Sequence, residues 1–124
     1  MIFDLNQLKE TNDTYGHDIG DKLIAAAAKV ISDVFKRSPV FRIGGDEFLA
    51  VLRHKDLEDC EKLFEQLDLE CAMTRIEEKG KILISIARGF AMFDSDKDLR
   101  FNDVFKRADN AMYENKRKNK KVKV

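Results

Sequence analysis

Residues 40–52 read VFRIGGDEFLAVL, two apolar β-type runs on either side of a Gly-Gly-Asp-Glu segment at positions 44–47. Such runs around a glycine pair predict a β-hairpin, because glycine tolerates the positive φ that tight turns often require. Asp46 and Glu47 then lie at a turn that a ligand can approach, and carboxylate oxygens are preferred ligands of hard cations such as Mg²⁺. Taken alone, the stretch is more typical of a solvent-exposed acidic hairpin, so the rest of the chain decides between the two interpretations.

Hydrophobic spacing predicts the remaining elements. Apolar residues recur at helical intervals in three long segments, and β-branched and aromatic residues concentrate in four others. A shorter helix is expected over Asn6–Tyr15, with Gly16 as its left-handed stop, and Asp56 is a candidate N-cap. The order predicts an α+β fold, a central and mostly antiparallel sheet flanked by helices. The predicted helices are Leu23–Val34, Leu57–Cys71 and Phe101–Met112; the predicted strands are Ile2–Leu5, Val40–Ile43, Phe48–Leu52 and Ile82–Phe93, with Val122–Val124 as a candidate edge.

Length and composition restrict the class of protein. The 124 residues suffice for one domain, and 37% charged with 44% apolar residues suit a globular chain. No apolar run approaches the roughly 18 residues of a membrane span, and no signal core follows Met1, so a cytoplasmic location without membrane contact is expected. Cys60 and Cys71 lack the spacing of a zinc site and are expected to be buried apolar residues rather than a disulfide framework.

The charge distribution is uneven although the net charge is zero. Residues 116–123 hold six of the 23 Lys and Arg, which leaves an acidic body. An acidic body argues against broad nucleic-acid binding. The basic tail is typical of a solvated, fraying end, with phosphate binding as the alternative.

A second series of polar residues follows the first predicted strand. Asp4 closes its apolar run and is followed by Lys9, Asn12, Asp13, Gly16, His17, Gly20 and Asp21. Together with the Gly44 to Phe48 hairpin, this series resembles the GGDEF family of diguanylate cyclases. The resemblance covers nearly the whole chain and implies a ferredoxin-like core, related to the palm of nucleotidyl cyclases and polymerases, with the first strand beside the hairpin. The matching residues are Asp4, Lys9, Asn12, Asp13, Gly16, His17, Gly20 and Asp21, then Arg42, Gly44 to Phe48, Gly89, Ala91, Ala108, Asp109, Ala111, Met112, Tyr113 and Lys116.

The resemblance implies a metal site for Mg²⁺ or Mn²⁺. Asp4, Asp46 and Glu47 would supply carboxylates, and Leu5 a backbone carbonyl. Asp46 and Glu47 would be the catalytic pair, with Glu47 also a candidate for proton removal. The alternative for Asp4 is a carboxylate that caps the end of its strand.

The resemblance also implies a nucleotide site. Asn12 and Asp21 would bind the guanine edge, whose donors and acceptor suit an amide and a carboxylate. Their alternative roles are a helix-stop Asn and an N-cap Asp, and the alternative for Lys116 is a solvated helix end. His17 is expected to be structural. The substrate-binding residues would be Lys9, Asn12, Asp21, Gly44, Gly45, Lys116 and Lys120, the lysines contacting phosphates.

The expected reaction condenses two GTP into cyclic di-GMP and two pyrophosphates. Each subunit would bind one GTP, so catalysis needs a homodimer. The family's preceding segment is expected to be missing from this chain, and an amino-terminal sensory or receiver domain to belong to the full-length protein. The alternative is a catalytically inactive module that binds GTP or cyclic di-GMP, or that serves as a protein-interaction domain.

Several positions depart from the family pattern. Asn6 stands where many relatives carry a second Asp, and Asn119 and Lys120 where Gly and Arg are usual. A lysine there replaces a bidentate phosphate contact by a point charge. Phe35 and Ser38 occupy the Arg-x-x-Asp positions of product-inhibited relatives, so product feedback through them is not expected.

Overall fold

The computed structural model describes residues 1–77 and 81–122, with the backbone alone at positions 75, 77, 81, 83 and 118–122. Strands and helices follow one another as an α+β arrangement, as the hydrophobic pattern predicts. The elements are β1 (Ile2–Leu5), α1 (Leu8–Tyr15), α2 (His17–Val34), β2 (Val40–Arg42), β3 (Glu47–Ala50), α3 (His54–Glu58), α4 (Cys60–Met73), β4 (Arg75–Glu77), β5 (Lys81–Leu83), β6 (Ile86–Gly89) and α5 (Phe101–Val122).

The central sheet has four antiparallel strands in the order β2-β3-β1-β6. Successive side chains of a strand point to opposite faces, so β1 divides its residues between two helical layers. Phe3 and Leu5 join the larger core with α2 and α4, whereas Ile2 joins Ala108 and Met112 of α5. The helices therefore cover both faces, and Asp4 shares the α5 face with Ile2.

Helix α5 packs unusually close to β6 because Gly89 lies at the contact. A Cβ atom at Gly89 would lie 1.9 Å from the Ala108 carbonyl oxygen and 2.3 Å from the Met112 nitrogen, both backbone atoms of α5. Only glycine leaves room for this approach. The contact fixes the position of α5 relative to β1, the neighbour of β6 in the sheet.

The predicted helix Leu57–Cys71 is divided into α3 and α4, and the expectation that Asp56 is its N-cap is wrong. Asp56 lies inside α3, is buried, and its Oδ2 accepts hydrogen bonds from the Arg37 backbone nitrogen at 2.9 Å and the Ser38 hydroxyl at 2.7 Å. Asp56 thereby attaches α3 to the connection between α2 and β2. A short α3 satisfies this tertiary contact, and α4 restarts at Cys60.

The long predicted strand Ile82–Phe93 is also interrupted. β5 pairs with β4 in a separate two-stranded sheet, while β6 pairs with β1. At the break, the Ser85 carbonyl accepts from the Asn6 backbone nitrogen at 2.8 Å, and the Ser85 hydroxyl from the Asn6 amide at 3.0 Å. The candidate edge strand is wrong at Val122, which ends α5; positions 123 and 124 fall outside the described residues.

Both cysteines are free thiols. Cys71 is buried, as expected, and burial raises the pKa of its thiol to about 11. Cys60 is only half-buried, because it occupies the exposed start of α4, which corrects the expectation for that residue. Among the described residues, no helix has the length and apolar character needed to cross a bilayer.

Candidate active site

The two acidic stretches, about forty residues apart in sequence, meet at the paired ends of β1 and β3. Asp4 is the direct cross-strand partner of Glu47, and the Leu5 backbone nitrogen donates to the Asp46 carbonyl oxygen at 2.8 Å. Opposed residues of antiparallel strands project their side chains from the same face. The register therefore gathers Asp4, Asp46 and Glu47 at one edge of the sheet, on the side covered by α5.

Negative charge is crowded at this edge. Burial raises the pKa of the Asp4 carboxyl, Lys116 opposes this effect, and Asp46 adds to it. Burial likewise raises the pKa of Glu47, with further increases from Asp4, Asp109 and Asp46. The neighbouring carboxylates thus make Asp4 and Glu47 harder to ionise, and a bound cation would relieve that repulsion.

The donor chemistry fits a divalent metal ion. Oδ1 of Asp4 is buried and has no hydrogen-bond partner among the described residues, although buried polar atoms are normally paired. In the part of the chain that the structure describes, no three His, Cys, Asp or Glu side chains are arranged to hold a metal ion by themselves. Mg²⁺ does not require three, because it is usually held by one or two carboxylates together with waters and substrate phosphates.

Lys116 of α5 is part of this site and is not a solvated helix end. Its Nζ donates to Asp4 Oδ2 at 2.9 Å, and the two side chains are 29% and 11% exposed. Close packing of α5 on β6 brings the lysine to a residue 112 positions away in sequence. The side chain of Lys120, the other lysine expected on this helix, lies outside the described part of the structure.

The glycine turn is open, but not for the conformational reason expected. Neither Gly44 nor Gly45 has a positive φ, which corrects the sequence argument. A Cβ at Gly45 would meet nothing within 4 Å, and one at Gly44 would come no closer than 3.6 Å to Glu47. Arg42 braces the turn by donating to the carbonyls of Gly44 at 3.1 Å and Gly45 at 2.9 Å. The glycines therefore leave space rather than supply an unusual backbone angle.

The remaining expected residues form a second group on α1 and α2. Asn12 lies within α1 and Asp21 within α2, which begins at His17, so neither the helix-stop nor the N-cap alternative holds. A Cβ at Gly20 would lie 1.7 Å from Asn12 Oδ1, so the absence of a side chain there lets the amide lie directly against α2. Lys9 is exposed on α1. Gly16 ends α1 with φ 92°, as its assignment as a helix stop requires, although its ψ of 164° is not left-handed helical.

Asp109 and the bracing role of Arg42 were missed as site features. Asp109 raises the pKa of Glu47 from α5. It precedes Lys116 by seven residues, two helical turns, so helical spacing already places both on one face. That spacing was the available signal. The hydrogen bonds of Arg42 to the turn had no comparable signal in the sequence.

Comparisons with known proteins agree with this geometry. The sequence model described as diguanylate cyclase, GGDEF domain, matches residues 1–122. Diguanylate cyclase DosC of Escherichia coli strain K12 is 31% identical over 121 residues, 95% of this chain and 26% of DosC. The bifunctional diguanylate cyclase/cyclic di-GMP phosphodiesterase MucR of Pseudomonas aeruginosa is 31% identical over 114 residues, 91% of this chain and 16% of MucR. The chain thus spans about a quarter or less of these curated relatives.

Solved structures share the fold. The GGDEF domain of DgcB from Caulobacter crescentus, solved with c-di-GMP, has a TM-score of 0.82 and 27% identity, covering 94% of this chain and 70% of that one. The active GGEEF domain of a diguanylate cyclase from Vibrio cholerae has a TM-score of 0.81 and 29% identity, with 94% and 74% coverage. The family match over residues 1–122 and these structures lead to one conclusion: the chain belongs to the GGDEF domain family of diguanylate cyclases.

Proposed function

We propose that this chain is a divalent-cation-dependent diguanylate cyclase domain that condenses two GTP into cyclic di-GMP and two pyrophosphates. The observation that carries the proposal is the antiparallel register that opposes Asp4 to Glu47 and joins Leu5 to Asp46, beside an open glycine turn. Crowded carboxylates with raised pKa values suit a site completed by a cation and a polyanionic substrate.

The residues divide between cation and nucleotide. Asp4, Asp46, Glu47 and the Leu5 carbonyl would share the bound Mg²⁺ or Mn²⁺, with one or two carboxylates to each ion, and the metal would supply activation of the 3′-hydroxyl and charge neutralisation at the α-phosphate. Glu47, which has a raised pKa, is the candidate to accept the hydroxyl proton. Gly44 and Gly45 leave the ligand room at the turn.

Nucleotide recognition falls to the helices. Lys116, already beside the carboxylates, would contact phosphates together with Lys9 and Lys120. Asn12 and Asp21 would bind the guanine edge from α1 and α2, where the missing side chain of Gly20 leaves space for the Asn12 amide. This division lets the sheet edge act on the triphosphate while the helix pair selects the base.

Assembly and setting follow from the reaction. One subunit would present the attacking sugar and the other the attacked phosphate, so the active form would be a homodimer in the cytoplasm, where GTP is found. Because the chain spans about a quarter of DosC, we also propose that an amino-terminal sensory or receiver domain controls that dimer in the full-length protein.

Product feedback through the Phe35 and Ser38 positions is not part of this proposal. Phe35 is fully buried, and its ring centroid lies 5.7 Å from that of Phe3 in the core. The Ser38 hydroxyl donates to Asp56. Phe35 thus belongs to the core and Ser38 to the contact with α3, and neither offers charge to an anionic ligand.

The test follows product formation. The chain, fused to a dimerising coiled coil, is incubated with GTP and Mg²⁺, and cyclic di-GMP and pyrophosphate are measured. Asp46→Asn should abolish both products. Asp33→Asn is the matched control, because Asp33 pairs with Lys29 on the exposed face of α2 and should be dispensable. GTP binding without turnover in the forced dimer would instead favour a non-catalytic binding module.

A further inference from the structure

The ion pair between Lys116 and Asp4 places two demands on one carboxylate. Oδ2 of Asp4 accepts from the Lys116 ammonium at 2.9 Å, and the pair is mostly shielded from solvent. The proposed function, on which this inference rests, requires the same carboxylate as a metal ligand. Mg²⁺ binds carboxylates at 2.0–2.1 Å, so an ammonium held on the same group would face a divalent charge at close range.

Lys116 acts on more than its direct partner. Its ammonium lies against Asp4, which is the direct cross-strand partner of Glu47. It therefore supplies to the carboxylates the positive charge that a bound cation would otherwise supply. A lysine suits a temporary role, since its compact ammonium sits on a flexible four-carbon stem.

We propose that Lys116 is an exchangeable counterion, which neutralises Asp4 before substrate arrives and transfers to the nucleotide triphosphate when it binds. Without nucleotide, the lysine competes with the divalent cation for Asp4. A bound triphosphate draws the ammonium onto its own oxygens and frees the carboxylate. Metal and nucleotide then promote each other's binding, as linkage requires of any such coupling.

The anchorage of α5 supports a movement of the side chain alone. Gly89 holds the helix backbone against β6, and Met112, one turn before Lys116, is fully buried in that contact. The helix is thus fixed while the stem of Lys116 extends from it, 29% exposed. The exchange needs only a change of rotamer, not a displacement of the helix.

The test measures two affinities of the nucleotide-free and metal-free protein. Mn²⁺ binding is followed by electron paramagnetic resonance without nucleotide, and binding of a GTP analogue with a non-cleavable α–β bridge is followed by calorimetry in EDTA. Lys116→Met should tighten Mn²⁺ binding at least about fivefold and weaken analogue binding by a similar factor. Arg117→Met is the control, because Arg117 pairs with Glu114 on the exposed side of α5, and both affinities should stay within about twofold.

The two affinities are expected to change in opposite directions, and this distinguishes the exchange from simpler roles of Lys116. A residue that only supports the fold would weaken both affinities, and a residue that only binds phosphate would weaken the analogue alone. Unchanged or weaker Mn²⁺ binding by Lys116→Met, or unchanged analogue binding, therefore overturns the exchange and leaves the proposed function standing. If the wild-type chain binds neither ligand at millimolar concentrations, the proposed function and the exchange both fail. Lys116→Gln serves as the second variant should Lys116→Met not fold, with the same expectations.

Discussion

Replacing Gly89 by alanine would force α5 away from β6. The new Cβ would lie 1.9 Å from the Ala108 carbonyl oxygen and 2.3 Å from the Met112 nitrogen, against 3.4 Å or more for ordinary contacts. Both neighbours are helix backbone and cannot rotate aside, so the helix must retreat by roughly 1 to 1.5 Å. A gap of that size forfeits about half of the dispersion energy along the contact.

The expected cost can be set from two opposing effects. Overpacking of a well-packed contact costs about 3 kcal/mol at the upper end of the usual range. Alanine also lowers the conformational entropy of the unfolded chain, which stabilises the folded state by about 0.4–1 kcal/mol. We expect Gly89→Ala to lose about 2–3 kcal/mol of unfolding free energy, and its Tm to fall by roughly 10 °C.

Urea and thermal unfolding followed by circular dichroism measure this loss. Gly45→Ala is the matched control, because a Cβ at Gly45 would meet nothing within 4 Å, and its stability should stay within about 0.5 kcal/mol of wild type. Because α5 carries Lys116, nucleotide binding should weaken in Gly89→Ala as well. A Gly89→Ala protein as stable as Gly45→Ala would refute the argument that this glycine exists for the close approach of the helix.

Three further predictions concern other contacts. Gly20→Ala should change the stability little but weaken GTP binding about tenfold, because the new Cβ would displace the Asn12 amide. Calorimetry measures the affinity for GTP, and an unchanged affinity would contradict this prediction. Asp56→Ala should lower the free energy of unfolding, measured in urea, by about 2–3 kcal/mol, because two donors lose a buried charged acceptor. A loss below about 1 kcal/mol would contradict this role of Asp56. The hydrogen bond from Arg107 holds the pKa of Asp98 below the ordinary 3.8, so its stabilisation is complete above that pH and is lost as the pH falls through the lowered value. Asp98→Asn should therefore be less stable than wild type at about pH 6 and converge with it near about pH 2, and a pH-independent difference would argue against the ion pair.

The fold was largely predictable because its elements carry strong periodicity. β1 has the predicted bounds Ile2–Leu5, and α5 begins at the predicted Phe101. The breaks were not predictable, because contacts distant in sequence cause them. Instead of capping a helix, Asp56 accepts hydrogen bonds from Ser38 and Arg37, 18 and 19 residues earlier in the chain. Ser85 pairs with Asn6 across 79 residues. No local pattern encodes such partners.

The candidate site shows the same limit. The acidic turn alone was more typical of a solvated hairpin, so both the expectation of a cation there and the meeting of Asp4 with Glu47 depended on family resemblance rather than on residue spacing. The sequence pattern could not identify Lys116 as the partner of Asp4, because the neighbouring lysines of the tail are equivalent until the position of α5 is known. The position of Lys116 depends on the close contact of α5 at Gly89, and this glycine acts by leaving space for the helix rather than by carrying charge.

The 112-residue separation of Asp4 and Lys116 has a consequence during synthesis on the ribosome. A nascent chain that has emerged only as far as β6 contains β1 to β6, the strands that the structure describes, but lacks α5, which begins at Phe101. Contacts so distant in sequence form late, after the intervening chain has folded. A polypeptide synthesised only to that point would thus hold the acidic groups of the site without the lysine that balances them, and capture of nucleotide would await the synthesis of α5.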